Sequence, residues 1–118
     1  MAPTVAALIG AVKSGVALEV RANVSTPAYL EAVLTRDHLP QCEAALRAAL
    51  GEPAKPFGGK SALAPDVREL VDRIGGVRPN QCVFLAAADG GGTVYAALWP
   101  WQSDASRITL KLGLVPPS

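Results

Sequence analysis

From residue 107 the chain alternates strictly. Ile108, Leu110, Leu112 and Leu114 take every second place, with Arg107, Thr109, Lys111 and Gly113 between them. A period of two is the pattern of a strand with one face buried and one face wet. Two further runs, 82–88 and 93–99, are apolar and contain β-branched and aromatic residues suited to strands. Asp89-Gly90-Gly91-Gly92 separates them, and glycine supplies the positive φ a hairpin loop needs. A four-residue loop pairs Ala88 with Thr93 and places Val83, Leu85 and Ala87 beside Val94, Ala96 and Leu98. Pairing Leu98 with Ile108 across 100–106 brings the leucines of the last run to the same face. The pattern predicts a three-strand antiparallel meander with one consistent apolar side.

The other side of that meander then carries Cys82, Phe84, Tyr95 and Trp99 with Arg107, Thr109 and Lys111. In this register Trp99 faces Arg107 and Tyr95 faces Lys111, pairs that stack as cation–π contacts. Pro100 cannot donate to a ladder, so it ends or bulges its strand and leaves the facing of Trp101 open.

Earlier in the chain, Val5, Leu8, Ile9 and Val12 form a helical stripe, opened by Pro3 or Thr4 and closed by Gly15. Residues 16–24 alternate, and 29–35 read as the second arm of a hairpin. That hairpin pairs Ala22 with Leu30, Val20 with Ala32 and Leu18 with Leu34, and sets Arg21 opposite Glu31. A helical reading of 29–35, started by Thr26-Pro27, is the alternative. Asp37 is placed as the N-cap of a helix to Leu50, stopped by Gly51, with Leu39, Cys42, Leu46 and Ala49 inward. A third helix over 65–74 presents Val67, Leu70, Val71 and Ile74. The order helix, two strands, two helices, three strands predicts an α+β fold. It is a two-layer sandwich of about five mostly antiparallel strands with three helices on one face.

Composition narrows this picture without naming a reaction. The chain has 118 residues, enough for one domain over 1–118. Half of it is hydrophobic, but with only two each of Trp, Tyr and Phe, so the core is built from small side chains. A net charge of +1 gives no general steering toward nucleic acid or membrane. The apolar run 5–12 is too short to span a bilayer and lacks the preceding positive region of a signal peptide. A cytoplasmic location is therefore expected. Cys42 and Cys82 are far apart and His38 is the single histidine, which excludes a multi-histidine metal site in one chain. No cofactor is expected.

Two groups of residues carry the functional expectation. One is the face of Phe84, Tyr95, Trp99, Trp101, Arg107 and Lys111, which suits a homodimer or another protein partner, or a planar or anionic small molecule. The other is residues 54–61, a loosened phosphate-loop pattern in which Lys55, Lys60 and Ser61 would meet an anion. Pro56 removes an amide from that cradle, and no strand leads into it, so nucleotide hydrolysis is not expected. No acid pair, nucleophile elbow or catalytic histidine partner stands out. The reading is a self-associating interaction module without evident catalysis. A small-molecule or anion-binding protein is the alternative, and single-stranded nucleic-acid binding a weaker third.

Overall fold

The computed structural model describes residues 4–21, 23, 25–26, 29–55, 57, 69, 72, 81–88, 91–104 and 106–115. The first helix, α1 (Val5–Gly15), opens on Thr4, whose hydroxyl accepts from the Ala7 amide at 3.1 Å. Gly15 stays helical, and Val16 caps the end with its N–H on Val12 O. The chain then crosses to the sheet and forms β1 (Glu19–Val20), far shorter than the alternation of 16–24 predicts. Ser25 explains the early stop. Its N–H bonds Arg21 O, and its hydroxyl both donates to Glu31 O and accepts from Glu31 N, at 3.1 Å each. Arg21 N still bonds Glu31 O at 2.9 Å, but the Ser25 hydroxyl takes the Glu31 N–H that Arg21 O would have accepted in a continuing ladder.

Residues 29–35 are strand, not helix: β2 is Leu30–Thr35. Val20 pairs with Ala32 as expected, and Arg21 lies against Glu31 at 3.7 Å. The expected Ala22–Leu30 pair lies outside the described residues. The Leu18–Leu34 pair does not form, because β1 begins only at Glu19. After β2 a 3-10 turn, Arg36–His38, precedes α2 (Leu39–Leu50). Asp37 therefore sits in that turn rather than at the helix N-cap. Gly51, at φ 81°, ends α2 as predicted.

β3 (Cys82–Ala87), β4 (Thr93–Pro100) and β5 (Arg107–Val115) make the meander, and the five strands order as β1-β2-β5-β4-β3, all antiparallel. The hairpin thus joins the meander through β2 on β5. Two helices are present among the described residues, not three. The helix expected over 65–74 lies outside them, apart from Glu69 and Asp72.

Both meander registers differ from the sequence expectation, with different consequences. Ala87, not Ala88, pairs with Thr93. Gly91 and Gly92 both hold positive φ, 100° and 83°, and Gly92 O accepts from Ala88 N, so Ala88 belongs to the turn. A one-residue slip reverses a strand's faces. Cys82 and Phe84 consequently enter the core, and Val83, Leu85 and Ala87 turn to the other side. Between β4 and β5 the shift is two residues: Pro100 pairs with Ile108, and Leu98 with Leu110. The faces are kept. Pro100 is tolerated because Trp101 N bonds Arg107 O, so by alternation Pro100 turns its nitrogen away from β5. β3 starts opposite Leu98, so no ladder bond is lost on that side.

The core joins Leu8 and Val12 of α1, Cys42 and Leu46 of α2, and the inward residues of β2 to β5. Both helices therefore pack on one side of the sheet. Leu114, expected inside with its neighbours, is 45 % exposed at the end of β5.

Both thiols are free and buried. Burial is the main cause of raised pKa values, from 9.0 to about 12 for Cys42 and about 11 for Cys82, with Glu43 adding to each. The unfolded chain ionises first, so it binds fewer protons above pH 9 and stability falls there as pH rises. Lys55, whose pKa burial lowers, acts in the opposite sense. Cys42→Ala isolates the thiol: between about pH 8 and about pH 10 the wild type should lose more stability than the variant. Calorimetry at the two pH values measures it, and a thiol reagent should label both cysteines only on unfolding.

Candidate binding face on the side of the sheet away from α1 and α2

Strand alternation sends Tyr95, Ala97 and Trp99 of β4 and Arg107, Thr109, Lys111 and Gly113 of β5 away from α1 and α2. The two-residue shift decides who meets whom. Trp99 lies opposite Thr109, Ala97 opposite Lys111 and Tyr95 opposite Gly113, in place of the expected Trp99–Arg107 and Tyr95–Lys111 pairs. The cations now reach diagonally. Lys111 Nζ sits 4.1 Å from the centre of the Trp99 ring, and the Arg107 guanidinium 5.6 Å from that of Trp101.

The two indoles differ in their polar ends. Trp101 Nε1 donates to Thr109 Oγ1 at 2.8 Å, and with its backbone N–H on Arg107 O this ring is held on the same face. Trp99 Nε1 is shielded from solvent and has no hydrogen-bond partner among the described residues.

The two cations differ as well. Arg107 is balanced by carboxylates, Asp104 at 3.5 Å and Glu19 at 3.9 Å. The Ser106 hydroxyl and amide donate to Asp104 at 2.6 and 3.0 Å and hold its carboxyl below the usual range. Lys111 has no carboxylate within salt-bridge reach among the described residues; Glu31, directly opposite it on β2, is held instead by Tyr29 Oη at 2.9 Å and by Arg21. Burial, with Glu31 beside it, raises the Tyr29 hydroxyl well above its ordinary pKa and lifts Tyr95 in the same direction.

Phe84 does not belong to this face. It is fully buried in the core, the direct result of the slip in the β3–β4 turn. The expected anion loop changes too. Lys55 is 1 % exposed; its backbone pairs with Val83 on the outer edge of β3, and its ammonium donates to Gln81 O at 2.7 Å. It braces the start of β3 and is not presented to solvent. Lys60 and Ser61 lie outside the described residues.

One feature has no counterpart in the sequence reading. A cleft of about 280 Å³ opens where β1 stops short, lined by Ala17, Leu18, Glu19, Val33, Leu34, Thr35, His38 and Arg107. His38, the single histidine, is half-buried there with Nδ1 3.0 Å from Thr35 Oγ1. The only signal for it was the lone histidine at a helix start, which is too common to single out a site. Among the described residues no group of three His, Cys, Asp or Glu is placed to hold a metal, and no helix is long and apolar enough to cross a membrane.

Comparison of the chain with protein-family models, with curated proteins and with solved structures finds no match.

Proposed function

We propose that this chain is a binding module rather than an enzyme, and that it receives an anionic group at Trp99 and Lys111. The observation that carries the reading is the sheltered Trp99 Nε1, without an acceptor among the described residues, under an ammonium that none of their carboxylates reaches. A buried donor left unpaired costs about 1–3 kcal/mol, so it marks a place where an acceptor is gained on binding. Lys111 adds the matching charge, and Arg107 and Trp101, already held by neighbours, frame it. A face mixing half-buried indoles with a half-buried Lys111 and an exposed Arg107 suits a small polar ligand better than the apolar centre of a permanent dimer.

Self-association is the second reading, favoured by β3. Among the described residues only Lys55 pairs with its outer edge, and half-buried Leu85 and exposed Ala87 extend the indole face to that edge.

Tryptophan emission titrated with inorganic phosphate and with benzoate tests the first reading. A saturable change is expected with at least one probe, weakened about tenfold, or about 1.4 kcal/mol, in Lys111→Met. Unchanged emission with both would overturn it. A dimer mass by light scattering that becomes monomeric in folded Trp99→Ala would instead establish the second reading.

A further inference from the structure

The cleft beside β1 is separate from the Trp99–Lys111 pair and has its own chemistry. It exists because the β1–β2 ladder opens: pairing ends at Glu19–Val33, and the chain at 16–18 leaves the sheet toward α1. By strand alternation Thr35 turns its backbone to this side, where no described strand residue pairs with it. Leu18, Val33 and Leu34 give the cleft an apolar floor, with both leucines belonging to or packed on the core. Glu19 and Arg107 stand together at its rim, bearing opposite charges 3.9 Å apart and well exposed, at 77 % and 46 %. An exposed pair this long is weakly held and opens readily. His38 completes the wall. With Nδ1 engaged by Thr35, its Nε2 is left to meet a ligand.

We propose that this cleft binds a small apolar zwitterion, a free amino acid with an aliphatic side chain. Its ammonium goes to Glu19, its carboxylate to Arg107 and His38, and its side chain to Leu18 and Val33. The ligand inserts between Glu19 and the Arg107 Nη1 that faces it, while Arg107 Nε keeps Asp104 at 3.5 Å on its other edge. One apolar pocket flanked by one acid and one base distinguishes such a molecule from a simple carboxylate or a simple amine, because either lacks one of the two partners. The volume accommodates a leucine-sized molecule and not a drug-sized one.

The test is an amide-resolved NMR titration with L-leucine, leucinamide and N-acetyl-leucine. Leucine should shift the amides of 17–19 and 33–35 saturably, and each one-ended analogue should bind at least about tenfold more weakly. Glu19→Gln should weaken leucine about tenfold and should not weaken N-acetyl-leucine, which has no ammonium for Glu19 to meet and gains an Arg107 released from its Glu19 partner. Trp99→Phe should leave leucine binding unchanged, so this site and the Trp99–Lys111 reading stand or fall apart. Glu19 is exposed, and spectral dispersion reports that the variant folds. The proposal is overturned by an absence of shifts up to about 20 mM leucine, by equal binding of the three ligands, or by an unaltered leucine affinity in Glu19→Gln.

Discussion

Phe84→Ala will lower the unfolding free energy by about 3–5 kcal/mol, while Leu85→Ala, one residue on, will cost about 1 kcal/mol. Phe84 has no exposed surface and is packed with Cys82, Ala96 and Leu98 in the cluster that α1 and α2 close. Removing its ring leaves a cavity the surrounding strands cannot fill, which adds to the lost transfer energy. Leu85 points the other way, opposite Tyr95, and is half-buried. The register with Ala88 opposite Thr93 requires the reverse ranking, with Leu85 as the costly position. Urea unfolding of the two variants measures the ranking directly, and a larger loss for Leu85→Ala would contradict the observed pairing. Such a loss is a large share of the total stability of a domain this size.

Gly113→Val is expected to cost about 1–3 kcal/mol through overpacking, although valine is the better strand former. Gly113 is buried mid-strand and its φ is not positive, so backbone freedom is not the reason for glycine. The reason is space. A Cβ there would lie 3.0 Å from Tyr95 Oη and 3.1 Å from Tyr29 Cδ1. Tyr95, directly opposite, folds its ring over the bare backbone, an arrangement in which an aromatic covers a strand glycine. Tyr29 is less free to retreat, because its hydroxyl is bonded to Glu31. Valine adds two methyls beyond the Cβ and displaces one or both rings. Thermal unfolding should show the loss, and tyrosine emission should report the moved rings. A variant as stable as wild type would mean that the rings yield without cost.

These two positions also show where the sequence is legible. The alternation of β5 is visible because its inner and outer environments differ at every step, from Arg107 to Leu112. The same holds for the Arg21–Glu31 neighbourhood, where the Val20–Ala32 pairing is the one expected. The buried stripe of α2 and its stop at Gly51 follow from helical spacing and a positive φ. Alternation alone places Trp99, Lys111 and Arg107 on one face, and they do share one. β3 is different. Cys-Val-Phe-Leu-Ala-Ala is apolar on both sides, so its composition scarcely distinguishes a register from its one-residue slip.

The sequence by itself determined the class of fold, the existence of the five strands and the outward face of β5, because those depend on local periodicity and turn chemistry. The tertiary structure alone decided three things. Packing and a pair of turn glycines chose which side of β3 is inside, moving Phe84 into the core and Leu85 out. A two-residue offset between β4 and β5 decided that Lys111 caps Trp99 and Arg107 caps Trp101. The hydroxyl of Ser25 at one end and the departure toward α1 at the other cut β1 to two residues, and the cleft of Glu19, His38 and Arg107 stands at the α1 end, where the strand begins. Each of these joins residues distant along the chain, and such joins depend on the competition between alternative pairings, which local pattern does not rank.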